Sequence, residues 1–204
     1  MGATSSAPAW LTFVESGAPD TVAAWSALGN AFAGVRALRG VLHERVTDGA
    51  APRILAEQEV LAQALADALA DVPDAALRMP GGEEEWNVAQ TFAHATAARR
   101  FLPTWAAMAA AGSWPADDPP SVRPSIPGDA NASRDELLIL LGKSRRSQER
   151  AAELIGEHET QPCPLDHPLV GRLRCGDWLL FAGVHDLMHL EQLHRIADAH
   201  RGSV

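Results

Sequence analysis

The sequence predicts an all-α protein built from five helices. Apolar residues recur every three or four positions along most of the chain, which is the spacing of one helical face, whereas the alternation typical of strands is scarce. Two apolar segments are also preceded by a residue that can cap a helix, with Gln or Glu three residues later. With 204 residues, the chain is long enough for one domain with a sizeable core.

Two helices are predicted before residue 73. The first covers residues 19–46, ahead of the turn at 48–49, and its apolar positions are Trp25, Leu28, Phe32, Val35, Leu38 and Leu42. Glycine loses much backbone freedom in a helix, so this first helix is weakened by Gly29, Gly34 and Gly40. The second covers residues 52–70, because Pro52 suits a first helical turn and Val72-Pro73 ends the helix. Its apolar face consists of Leu55, Val60, Leu61, Leu65 and Leu69.

The third helix is predicted over residues 87–111. Asn87 and Gln90 form a capping box at its start, and Gly112 is a stop signal at its end. Pro103 lies inside it and can kink it, because proline removes one helical hydrogen bond.

Residues 113–132 are rich in Pro, Asp and Ser and are predicted to form an extended loop. About twenty extended residues can run the full length of a neighbouring helix, so the next helix could lie parallel to the previous one. That fourth helix follows the capping box of Ser133 and Glu136 and extends to about residue 156 or 158. After an irregular stretch over 160–175, the fifth helix covers residues 177–200.

The last predicted helix carries a histidine pair on its apolar face. His185 and His189 are four residues apart, so their rings stack about 6 Å apart along the helix and can chelate one metal ion. Gln192 lies one turn further on. The spacing alone is a weak signal, because hydrogen bonds to neighbouring helices would satisfy the same two rings.

His94 is the candidate third ligand. It lies about two turns into the third helix, and a single helical histidine is more often a surface residue or a satisfied core residue. Together with His185 and His189 it would form a three-histidine set from two helices. Such a set leaves an open position for water or substrate, as in catalytic zinc sites.

Three segments resemble the DinB-like (YfiT-like) metalloprotein superfamily. Residues 86–94, WNVAQTFAH, resemble the W-S-x-x-x-x-x-x-H start of its second bundle helix. Residues 185–193, HDLMHLEQL, resemble its H-x-x-x-H-x-x-Q signature in the last helix, and residues 168–171, PLVG, are similar to its P-L-G lead-in. The resemblance covers roughly residues 52–200.

This resemblance implies an up-down-down-up four-helix bundle over residues 49–204, after an N-terminal extension, residues 1–48, with one additional helix. It also implies a site formed by His94, His185 and His189 for one divalent ion, with zinc or nickel favoured and manganese or iron as alternatives. Many members look like dimers, so a homodimer is expected. Asn87 stands where Ser or Thr is usual, and it caps a helix equally well.

The function that the resemblance implies is a metal-dependent enzyme acting on a small molecule. Known activities in the superfamily are thiol-dependent transferases and isomerases that use a low-molecular-weight thiol. A metal-activated thiol or water would be the nucleophile. Three alternatives stay open: a metal-dependent hydrolase, a non-catalytic metal-binding or stress-response module, and a metal-free bundle whose histidines only form hydrogen bonds. No general base is evident beyond the ligands, so the catalytic residues are unknown.

The net charge and the cysteine content limit the expected binding partners and the expected cellular compartment. Seventeen Lys and Arg against 26 Asp and Glu give a net charge of −9, which disfavours nucleic acid and anionic membranes as partners. The start of the chain lacks signal-peptide features, and no apolar run approaches the ~20 residues needed to span a bilayer. Cys163 and Cys175 are outside any CxxC pair and are expected as reduced thiols, so a cytoplasmic location is predicted.

The remaining candidates are assigned structural roles. Residues 83–85, three glutamates, are expected to form a solvated turn whose negative charge interacts favourably with the dipole of the next helix. The alternative is that one of these carboxylates contacts a metal-binding histidine. Trp86 could line the mouth of the site, and Cys175 suits a buried apolar position. The helical phases of Asp186 and Glu191 favour solvent or inter-helix pairing. The other histidines, which lack suitable phase or spacing, are His43, His158, His167, His194 and His200.

Overall fold

The computed structural model describes residues 8–29, 33–80, 86–123 and 126–201. Within these ranges the chain forms seven α-helices and one short 3-10 helix (Asp74–Arg78), with no strand. The α-helices are α1 (Ala9–Gly17), α2 (Pro19–Leu28), α3 (Ala33–Arg45), α4 (Ala51–Asp71), α5 (Val88–Ala110), α6 (Arg134–Ile155) and α7 (Cys175–Arg201). The all-α prediction is therefore confirmed, and none of the described helices is long and apolar enough to cross a membrane.

The prediction of a single helix over residues 19–46 is wrong. This segment forms α2 and α3, and α1, which the sequence reading missed, precedes them. The break follows α2 at Gly29, whose φ of 50° lies in the left-handed region that favours glycine. At Gly34 the carbonyl of Leu28 occupies the place that a Cβ would need, so only glycine lets the two helices approach this closely. Phe32 of the predicted apolar face lies outside the described residues.

A buried carboxylate from α4 caps the start of α2. Glu57 accepts hydrogen bonds from the backbone N–H of Asp20 at 3.1 Å and of Thr21 at 2.9 Å, and from the Thr21 hydroxyl at 2.7 Å. A negative charge here also complements the positive end of the helix dipole. Asp20 in turn pairs with Arg45 at the end of α3 and with Arg53 of α4. These contacts hold the N-terminal helices against the rest of the chain.

The other four predicted helices are observed close to their predicted ends. Both capping boxes are present: Asn87 with Gln90 at the start of α5, and Ser133 with Glu136 at the start of α6. The α4 helix covers one residue more than predicted at each end, and α7 begins two residues earlier than predicted. Capping boxes and turn signals act over a few residues, which is why the sequence alone identified these boundaries.

The four long helices pack around a common core. The α4 and α5 helices each contact both α6 and α7. The described residues 126–132 of the next loop lie beside the start of α5, because Gly128 donates to the Gln90 carbonyl at 3.4 Å and the Asn87 side chain donates to the Ala130 carbonyl at 2.8 Å. The α5 and α6 helices therefore start at the same end, as the length of this loop predicts.

The N-terminal helices share the core of the long helices. The α1 helix contacts α4, α2 contacts α4 and α7, and α3 contacts α7. Leu38 and Leu42 of α3 are fully buried in the same apolar cluster as Trp178 of α7. The division of the chain into residues 1–48 and 49–204 stays a prediction.

Candidate metal centre

Three histidine rings converge between α5 and α7. One ring nitrogen from each of His94, His185 and His189 lies within 4.8 Å of the other two. The ring centroids of His94 are 5.2 Å from those of His185 and His189, and the latter two are 4.6 Å apart. Imidazoles on one tetrahedral zinc, with Zn–N bonds of about 2 Å, have centroids about 5 Å apart. The three rings are therefore arranged as the ligands of a single ion would be.

Direct packing of α5 on α7 brings the three rings together. The capping box at Asn87 sets the start of α5 two turns before His94, so the position of this ring along the helix is fixed locally. His185 and His189 lie one turn apart near the middle of α7. Trp86, just before α5, packs edge-on against the His94 ring with centroids 5.1 Å apart, as expected for a residue beside the site.

A backbone carbonyl orients the His94 ring. Nδ1 of His94 lies 2.9 Å from the carbonyl oxygen of Ile126, in the long loop between α5 and α6. A carbonyl can only accept a hydrogen bond, so in the neutral ring Nδ1 carries the proton and Nε2 carries the lone pair. Metal-binding histidines are usually held in this way, with the second nitrogen donating to a carbonyl or carboxylate.

The His189 ring is held by the glutamine of the same motif. Nδ1 of His189 lies 3.1 Å from Oε1 of Gln192 on the next turn of α7. The amide oxygen accepts the Nδ1 proton, which again leaves Nε2 with the lone pair. The Gln at the third position after the histidine pair therefore has a direct physical role at the site.

His185 is half-buried, like His94 and His189. Its Nδ1 is buried and has no hydrogen-bond partner among the described residues. Burial, followed by the neighbouring His189 and His94 rings, holds the pKa of His185 well below its usual value. The ring is therefore neutral near pH 7, and neutral imidazole is the form that binds metal ions. A shared ion would supply a polar partner that the described part of the chain does not offer to Nδ1.

A buried ion pair, which the sequence reading did not identify as a pair, lies behind the histidines. Asp186 of α7 points away from them and pairs with Arg99 of α5, which is the inter-helix alternative expected from its phase. Arg99 also donates to the Gln58 carbonyl at 3.1 Å and to Oε1 of Gln148 at 2.5 Å, and it contacts Ser144 Oγ at 3.4 Å. One side chain thus joins α4, α5, α6 and α7.

The remaining candidates lie away from the three rings or have other partners. The His194 ring stacks on Trp10 of α1 with centroids 5.0 Å apart, and Nδ1 of His43 lies 3.0 Å from Asp177. Cys163 and Cys175 are both buried and free, as expected. The glutamates at 83–85 lie outside the described residues. His167, which spacing alone left without a role, packs against α7 one turn before His185.

Comparison with known proteins agrees with this geometry. The model of the DinB superfamily matches residues 57–193, which include all three histidines and more than half of the chain. No curated protein and no solved structure has a significant match. The match and the three-histidine cluster together lead to one conclusion: the chain belongs to the DinB superfamily.

Proposed function

We propose that the chain binds one divalent metal ion through His94, His185 and His189 and is a metal-dependent enzyme acting on a small molecule. The observation that supports this is the convergence of three ring nitrogens within 4.8 Å. In addition, Nδ1 of His94 contacts the Ile126 carbonyl and Nδ1 of His189 contacts Gln192. Three imidazoles suit zinc or nickel best, and manganese or iron also accept them. When bound, the ion would lower the pKa of a thiol or a water molecule enough to make it a nucleophile at neutral pH.

The residues of the chain have distinct parts in this proposal. The Ile126 carbonyl and Gln192 hold the His94 and His189 rings through Nδ1, so Nε2 is the unprotonated nitrogen of each neutral ring. Burial keeps His185 neutral, so no proton competes for its lone pair near pH 7. Trp86 packs edge-on against the His94 ring beside the proposed site. Three protein ligands leave one position for an exogenous group, which is the arrangement of catalytic rather than structural zinc sites.

The reaction class that we propose is thiol-dependent transfer or isomerisation. A low-molecular-weight thiol would be one reactant and a small electrophile the other. Support comes from the family assignment, and from the different needs of the two nucleophiles for a general base. A thiol, once deprotonated, needs no such base, whereas hydrolysis by a bound water gains from one.

An activity assay with matched variants tests this proposal. The zinc-loaded and nickel-loaded chain should consume small bacterial thiols in the presence of an electrophile, and the His185→Ala chain should not. Turnover of esters or amides without a thiol would favour the hydrolase instead. Full metal occupancy with no turnover across thiols, electrophiles and esters would leave a binding or stress-response module as the function.

The proposal also includes the assembly and arrangement of the chain. We infer up-down-down-up connectivity of α4 to α7, supported by the hydrogen bond of 3.2 Å from the Ala51 N–H to Glu159, which joins the start of α4 to the end of α6. A homodimer in the cytoplasm, with no nucleic acid or membrane partner, remains a prediction from the sequence. Light scattering during size-exclusion chromatography tests the dimer: a mass near twice 21.7 kDa is expected, and the single-chain mass would contradict it.

A further inference from the structure

A cavity of about 500 Å³ lies between α3 and the loop that leads into α7. The α3 helix contributes Val35 and Arg39, and the loop contributes residues 166–171. The α3 helix precedes residues 57–193, so this wall of the cavity is not part of the family match. The N-terminal extension therefore shapes a cavity together with the segment just before the two histidines of α7.

His167 connects this cavity to the three histidines. It lines the cavity, and its ring lies 5.6 Å from the Phe181 ring and 6.2 Å from the Trp178 ring, measured between centroids. Phe181 is one turn before His185 on the same face of α7. His167 therefore lies between the cavity and the turn of α7 that precedes His185.

The loop fixes the tautomer of His167. The backbone N–H groups of Leu169 and Val170 both point at its Nδ1, at 3.0 Å and 3.4 Å. Nδ1 must accept these hydrogen bonds, so the proton of the neutral ring is on Nε2. Burial lowers the pKa of His167, so the neutral form prevails near pH 7. The ring thus presents a hydrogen-bond donor.

Arg39 is the cation of the cavity. Its Nη1 donates to the Val170 carbonyl at 2.9 Å, which uses one of five N–H groups and fixes the guanidinium against the loop. Gly171, with φ of 67°, leaves the space that the guanidinium needs, because a Cβ there would lie 3.0 Å from Nη1. Asp166 is the other charged group of the lining and is exposed, so it would repel ligands of high negative charge at the rim.

We propose that this cavity binds the carboxylate of a small monocarboxylic ligand, with Arg39 as its ion-pair partner and His167 as an additional donor, while the other end of the ligand reaches His94, His185 and His189. A guanidinium binds a carboxylate through two parallel hydrogen bonds, which a half-buried site strengthens. The inference rests on the proposed function, since it specifies the substrate class of the same metal centre. It gives α3 a role in recognising the ligand.

Mercaptocarboxylates test the inference on the full chain loaded with Co²⁺. The probes are 2-mercaptoacetate, 3-mercaptopropionate and 6-mercaptohexanoate, each compared with its neutral methyl ester, and the intensity of the thiolate-to-cobalt absorption band gives the Kd. For at least one chain length we expect the acid to bind roughly tenfold tighter than the ester, the size of one charge-assisted hydrogen bond. Arg39→Gln should abolish this preference. Arg36→Gln, which changes an exposed arginine on the same helix, should keep it.

The outcomes separate the two proposals. If the cobalt-loaded chain binds acids and esters with equal affinity at every probe length, the carboxylate subsite is overturned and the metal centre stands. A preference for the acid that persists in Arg39→Gln has the same consequence. Failure of the wild-type chain to bind cobalt would overturn both. The variant comparison also removes the effect of the different thiol pKa values of acid and ester, since these values belong to the probes.

Discussion

Arg99 of α5 and Asp186 of α7 form an ion pair in which both side chains are fully buried. Asp186 directly follows His185, and Arg99 lies five residues after His94, so the pair joins the two helices beside the proposed ligands. Burial raises the pKa of Asp186 to about 7, while the charge of Arg99 opposes this shift. The pair therefore fixes the two helices relative to each other at a cost in desolvation.

Removing one member of this pair should destabilise the chain strongly. Arg99→Met leaves the Asp186 carboxylate buried without its cation, so we expect the free energy of unfolding to fall by about 3–5 kcal/mol. Urea unfolding of the metal-free protein measures this change. Arg100→Met, which alters the exposed neighbour, should change it by less than about 1 kcal/mol. Equal effects of the two substitutions would show that the pair has no special role.

Metal affinity should depend on His94, His185 and His189 and not on His194. His94→Ala, His185→Ala and His189→Ala should each remove most of the metal affinity, because each deletes one of three ligands. His194→Ala should retain it, because that ring stacks on Trp10 of α1 and is not part of the cluster. Competition with a chromophoric zinc chelator gives the four affinities. Similar retention in all four variants would refute the assignment.

Gln192 should support the site without being a ligand. Gln192→Leu removes the acceptor for the His189 Nδ1 proton, and loss of such a partner weakens metal binding by about 10–100-fold. The control is Gln63→Leu, an exposed glutamine on α4 that pairs with Asp67. We expect unchanged folding in both variants by circular dichroism. An unchanged zinc affinity in Gln192→Leu would mean that this contact does not orient the ring.

The metal-free protein should lose stability in mild acid because of His185. Its pKa in the folded chain lies well below the value of 6.5 expected in the unfolded chain. Below pH 6.5 the unfolded chain binds a proton that the folded chain does not, so the free energy of unfolding falls as the pH decreases. Asp186 acts in the opposite sense: its raised folded pKa contributes stability at low pH that is lost as the pH rises towards about 7.

Variants separate these two opposing effects. His185→Gln removes only the histidine contribution, so its free energy of unfolding should fall less between pH 7 and pH 5 than that of the wild type. The comparison requires chelator-treated protein, since a bound ion would also be displaced by protons in acid. The same pH dependence in both chains would contradict a buried, neutral His185.

The Glu57 cap should couple the N-terminal helices to α4. Glu57→Ala leaves the N–H groups of Asp20 and Thr21 without their acceptor, and loss of such a cap costs about 1–2 kcal/mol. Proteolysis should then cleave first within residues 9–45. Glu59→Ala removes a surface partner of Arg145 and should cost less than about 1 kcal/mol. Equal proteolysis of the two variants would show that the cap does not hold α2.

The parts of the fold that the sequence predicted depend on local signals. The capping boxes at Asn87 and Ser133 determine where α5 and α6 begin, and the spacing of His185 and His189 is a property of one helix. The position of His94 relative to that pair needed more than local information. It followed from the resemblance of two separated motifs, and direct packing of α5 on α7 accounts for it.

The parts that were missed depend on contacts distant in sequence. The break after Leu28 arises from close packing of α2 and α3 at Gly34. From the sequence, the glycine content predicted only a weakened helix. The carbonyl of Ile126 has no sequence signature, although it orients His94. Arg99 and Asp186 lie 87 residues apart, and His167 meets Phe181 through a loop whose course the sequence did not determine.

X-ray absorption at the zinc edge, on protein loaded with one equivalent of Zn²⁺, tests the metal centre most directly. The structure predicts three imidazole nitrogens at about 2.0–2.1 Å and one additional light ligand. The His185→Ala chain should lose one imidazole from this shell. Sulfur scattering at about 2.3 Å, or a wild-type spectrum with fewer than three imidazoles, would contradict a site formed by His94, His185 and His189.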